Sequence, residues 1–61
     1  MIVNFKSNGI TILIHKDMPY LPELEDRVKI LDDWYVVEDR YFIFPKRGEE
    51  EVIIYLTQIS E

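Results

Sequence analysis

Apolar and polar residues alternate along most of this chain with a period of two, the pattern of half-buried strands rather than helices. "IVNFK" (Ile2 to Lys6) is rich in strand formers, and "ITILIH" (Ile10 to His15) follows a short break at Asn8-Gly9. Both break residues tolerate positive φ, so the dipeptide predicts a tight hairpin turn. In the second strand Ile10, Ile12 and Ile14 share one face; Thr11, Leu13 and His15 share the other.

The alternation stops in "KDMPYLPELED" (Lys16 to Asp26). Pro19 and Pro22 lack a backbone donor and push the preceding residues toward extended geometry. An extended loop is expected, with Tyr20, Leu21 and Leu24 folded over one end of the core. The segment has room for a single helical turn at Pro22 to Asp26 and no more. "RVKIL" (Arg27 to Leu31) resumes the alternation, and Asp32-Asp33 predicts a turn. A long run from Trp34 to Phe44 follows. "PKRGEE" (Pro45 to Glu50) reads as a hairpin loop, and "EVIIYLTQI" (Glu51 to Ile59) as a last strand.

The long run holds the triplet Glu38-Asp39-Arg40 between two apolar blocks. A flat strand of that length is unusual in so small a domain, where about five or six residues is typical. A bulge at the triplet resolves this, because one extra residue bends the strand and swaps the parity that faces inward. Trp34 and Val36 then join Tyr41 and Ile43 in one core; without a bulge they pair with Phe42 and Phe44. The triplet contains no glycine, proline or asparagine, so a bend is favoured over a turn. Its charges also guard an open edge against pairing with another chain. The expectation is an all-β fold in one domain, residues 1–61: a small five-stranded antiparallel SH3-like barrel or a strongly bent sheet.

A resemblance points the same way. "PELEDRVKILDDWYVVEDRYFIF" resembles a pattern in small proteins of phages and mobile elements, and SH3-like small barrels generally. There a proline-containing lead-in precedes a "D-x-V-x-I" strand, an aspartate-rich turn and an aromatic "W/Y-x-V" strand. The matching positions are Pro22, Asp26, Val28, Ile30, Trp34 or Tyr35, and Val36 or Val37. Many such proteins carry glycine before the aspartate, where this chain has Glu25. The resemblance implies a barrel and a mobile-element origin; it carries over no activity and no site residue.

At 61 residues a domain buries only about 60% of the surface its unfolded chain exposes. No cysteine is present, so no disulfide or thiolate metal site supports the fold. The last strand carries apolar residues on both faces, Val52, Ile54 and Leu56 against Ile53, Tyr55 and Ile59. A sheet with one wet face alternates more cleanly, so a homodimer that covers the outer face is expected. A cytoplasmic location is expected too, since the N-terminus lacks the basic and apolar blocks of a secretory signal and no apolar run suits a membrane span.

The net charge of −5 disfavours phosphate backbones as partners. Direct nucleic-acid binding would need Lys6, Lys16, Arg27, Lys29, Lys46 and Arg47 to cluster. His15 is the lone histidine, too few for a transition-metal site. Two isolated glycines make no phosphate-cradling loop. The paired acids lie in turns and bends, where solvated charge is the ordinary role. No catalytic, cofactor or metal residue is therefore assigned, and neither enzyme activity nor a small-molecule substrate is expected. Among the aromatics Tyr20, Tyr35 and Phe42 are the candidates for an exposed partner surface. The expected role is a non-enzymatic protein-interaction or self-associating module. The alternative is an acidic inhibitor or nucleic-acid mimic whose carboxylates occupy a basic groove on a host protein.

Overall fold

The computed structural model describes residues 1–59. Five strands form: β1 (Ile2–Ser7), β2 (Ile10–His15), β3 (Arg27–Ile30), β4 (Asp33–Ile43) and β5 (Glu51–Gln58). They make a single, strongly curled half-barrel sheet in the order β2-β1-β5-β4-β3. Three of the four pairings are antiparallel; β1 and β5 pair in parallel. The expected all-antiparallel sheet gives way at that point. A parallel neighbour needs a long connection, and here everything from β2 to β4 supplies it.

The concave face carries the core. Val3 and Phe5 of β1 lie beside Val52 and Ile54 of β5. Leu56, Val37, Tyr35 and Ile30 complete the buried set, and Ile12, Met18, Leu21 and Val28 pack against it.

Local turn chemistry fixes the register. Asn8 (φ 53) and Gly9 (φ 74) both take the left-handed region, as a two-residue I′ turn requires. The next hairpin differs from expectation. Ile30 pairs with Asp33, so the loop is Leu31-Asp32 and not Asp32-Asp33. Leu31 takes φ 57, which places a leucine where a glycine is usual.

The loop from residue 16 to 26 contains no helical turn. The Asp26 amide donates to the Glu23 carbonyl at 3.1 Å, and Glu25 between them has φ 72. Positive φ at the third position is the signature of a type II turn, not of a helix. The Asp26 side chain closes the turn by accepting from the Glu23 amide at 2.8 Å. Of the three residues expected over the core, Leu21 packs against it, while Tyr20 and Leu24 stay exposed.

The charged triplet lies inside one continuous eleven-residue strand, and a bulge lies within it. Val37 pairs with Leu56 and Asp39 with Tyr55, so Glu38 is the extra residue. The parity swap brings Trp34, Val36, Tyr41 and Ile43 onto one face, but that face is the convex one. Tyr35 and Val37, followed after the bulge by Arg40 and Phe42, face the concave side, because they sit opposite Val52, Ile54 and Leu56. Both parities of β4 are apolar, so its own sequence does not choose between them; the buried row of β5 does.

A second bulge bends β2. Phe5 pairs with Leu13 and Lys6 with Thr11, which leaves Ile12 extra. The three isoleucines therefore do not share a face. Ile14 is convex beside Asn4, Ile10 pairs with Ser7, and Ile12 packs on the core.

Candidate interaction surfaces

The sheet register brings together a convex apolar surface. One row across four strands reads Ile14, Asn4, Ile53 and Tyr41. The next reads Thr11, Lys6, Tyr55 and Asp39, and on the other side Ile2, Glu51 and Ile43. Ile14 is 57% exposed and Tyr41 53%, while Ile53 and Tyr55 are half-buried between neighbouring strands. The Tyr41 and Tyr55 rings meet edge to face with centroids 5.3 Å apart. The Tyr41 hydroxyl donates to the Asp39 carboxylate, and that bond together with the carboxylate charge holds its pKa above the usual tyrosine value. Neither Lys6 nor Asp39 belongs to an ion pair among the described residues.

The open side of the half-barrel forms a second surface, a cleft of about 390 Å³. It runs between the two edge strands. β2 contributes Leu13 and His15; the opposite wall is the unbroken run from Asp26 to Ile30. A strand that lines a cleft with consecutive residues offers its backbone edge, not one side-chain face. The proline loop adds Met18, Tyr20 and Pro22.

The three candidate partner residues do not converge. Tyr20 is 74% exposed and lines this cleft. Phe42 is 45% exposed and stacks on Phe44 toward the β4–β5 loop, with centroids 6.4 Å apart. Tyr35 is a correction: it is only 8% exposed and belongs to the core, because its parity lies opposite the buried row of β5 before the bulge. The sequence alone placed Ile53 on an outer face, but not Ile14 or Lys6 beside it. The signal was present in the two-faced β5, but its neighbours follow from a parallel pairing that no local pattern reveals.

The acidic residues are spread over several segments, with Asp17, Glu23, Glu25 and Asp26 in the loop from residue 16 to 26. Asp32 and Asp33 lie at the β3–β4 hairpin, Glu38 and Asp39 at the bulge, and Glu49, Glu50 and Glu51 at the start of β5; Glu61 is outside the described residues. Among the described residues no three His, Asp or Glu side chains group as metal ligands.

Comparison with protein-family models, curated proteins and solved structures finds no match to this chain.

Proposed function

We propose that the chain is a non-enzymatic interaction module that self-associates by covering its convex sheet face with a second copy. The observation that supports this reading is the convex pattern itself, an apolar row next to one in which Lys6 and Asp39 flank Tyr55 symmetrically. Adjacent strands lie about 4.8 Å apart, so the two charges stand at equal distances on either side of β5. A two-fold axis along β5 stacks Ile53 on Ile53 and Tyr55 on Tyr55 of the second copy. The same axis lays each Lys6 over an Asp39. Sheets packed face to face about 10 Å apart bury such a surface as a shared core. The need is physical too: Ile14, Trp34, Tyr41 and Ile43 have the convex parity and all four are exposed.

Light scattering across a concentration series tests the reading, with charge-swapped variants. The native chain forms a dimer. Lys6→Asp and Asp39→Lys each weaken it by about thirtyfold, the effect of about 1 kcal/mol for each of the two symmetry-related pairs lost; the double swap restores it. A monomer at every concentration contradicts the proposal, and so does a dimer indifferent to both single swaps. A protein that instead acts by filling a basic groove on a host protein binds that partner as a monomer, with affinity that collapses as salt rises.

A further inference from the structure

We infer that the cleft between β2 and β3 is a docking site for an extended peptide strand of a partner protein, one that alternates acidic and apolar residues. This goes beyond the convex-face reading and uses a different part of the sheet.

The Val37 amide donates to the Asp26 carbonyl at 2.9 Å, so Asp26 points its backbone toward β4. Antiparallel pairing alternates from there. Val28 and Ile30 bond to β4, and the N–H and C=O groups of Arg27 and Lys29 point away from it. β3 is the last strand of the sheet, and its outer edge is a wall of the cleft. What satisfies alternating donors and acceptors on a strand edge is another strand.

Side chains select the occupant. Val28 and Ile30 turn to the concave side, where the cleft also holds Phe5 and Met18. An incoming strand therefore places apolar residues on that side. Its alternate residues lie beside Arg27 and Lys29, which are exposed and form no salt bridge among the described residues. Opposite charges across a strand pair stabilise it and like charges oppose it, so those positions take aspartate or glutamate. Two cations in a four-residue strand stand out on a chain of net charge −5. They deter the unselective pairing that bare edges invite while admitting an acidic strand.

The test uses the full chain and two short capped peptides, one alternating glutamate and valine, the other lysine and valine. Amide chemical shifts and exchange protection are read by NMR. The glutamate peptide shifts and protects the Arg27 and Lys29 amides; the lysine peptide leaves them unchanged. Lys29→Pro deletes one outward N–H and leaves the β3–β4 bonds in place, since proline is tolerated on an edge. It weakens the glutamate peptide at least about tenfold, the loss of one backbone bond with one ion pair. If the proline variant loses its β3–β4 protection, Arg27→Glu with Lys29→Glu serves instead and reverses the preference toward the lysine peptide. No shift with either peptide, equal shifts with both, or shifts on β2 alone would overturn the inference. Failure here with the dimer intact leaves the convex-face reading standing, and a monomer that binds the glutamate peptide does the reverse.

Discussion

Arg40 holds the proline loop to the sheet: its Nη1 donates to the Pro22 carbonyl at 3.3 Å, across eighteen residues of sequence. Its guanidinium also stands 5.8 Å from the centre of the Phe42 ring. The bulge makes both contacts available. Without the extra residue at Glu38, Arg40 would face the convex side. The residue before the bulge is held from the same loop, since Val37 accepts from the Glu25 amide and donates to the Asp26 carbonyl, each at 2.9 Å. The charged triplet therefore bends the strand and anchors the loop beneath it.

Arg40→Met keeps the apolar stem and removes both contacts. It is expected to cost about 2 kcal/mol, the low end of the sum of one long charge-assisted hydrogen bond and one exposed cation–π contact. For a domain of this size each kcal/mol lowers Tm by about 4–8 °C. Thermal melts followed by circular dichroism read the effect. Arg40→Lys recovers only part of the loss, because a lysine ammonium lacks the planar fork that serves both contacts. A variant as stable as the native chain removes the anchor from the account.

Two left-handed residues give stabilising substitutions. Glu25 (φ 72) and Leu31 (φ 57) each occupy a region that costs a side-chain-bearing residue about 1–2 kcal/mol. Glycine removes that cost and returns part of it as unfolded-state entropy. Glu25→Gly and Leu31→Gly are each expected to gain about 0.5–1 kcal/mol in urea unfolding. The two sites lie in separate turns, so the gains should add. A loss at either site means that the backbone there is not left-handed.

Asn4 is the one polar side chain on the convex row with a buried oxygen, Oδ1, that lacks a hydrogen-bond partner among the described residues. Such an atom costs about 1–3 kcal/mol. Asn4→Val should raise stability by about 1 kcal/mol, and since it enlarges the apolar row it should also tighten self-association. Denaturation at one low protein concentration separates the first effect from the second. A destabilised valine variant shows that Asn4 has a partner after all.

Tyr41 sets an alkaline limit. Its pKa lies above the ordinary 10.0, first because of its hydrogen bond to Asp39 and then because of that carboxylate's charge. The folded state thus holds the proton more tightly than the unfolded state. The contribution to stability is complete below the unfolded value and is lost as pH rises through the folded one. Stability should fall above pH 10, and Asp39→Asn should return the phenol titration toward its ordinary position. Phenolate absorbance against pH measures this; a titration that Asp39→Asn leaves unmoved contradicts the assignment.

Much of the fold was legible in the sequence, for identifiable reasons. Alternation placed all five strands, Asn8-Gly9 marked the first hairpin, and Glu38-Asp39-Arg40 marked the bulge. Three features were not legible. The β1–β5 pairing joins the two ends of the chain, and no local signal encodes it. Trp34 and Tyr35 are equally apolar, so their facing depends on β5. The bulge at Ile12 has no charge or glycine to announce it. The candidate surface was legible only in outline: two-faced strands signalled an apolar exterior, but which residues meet there depends on register.

Isotope-filtered NMR on a mixture of labelled and unlabelled chains reads the proposed contact between two convex faces itself. Intermolecular contacts are expected from the Tyr55 ring and Ile53 methyls of one copy to the same residues of another, with none from Val52 or Ile54. Contacts confined to single molecules, or intermolecular contacts that leave the β5 convex row untouched, would contradict it.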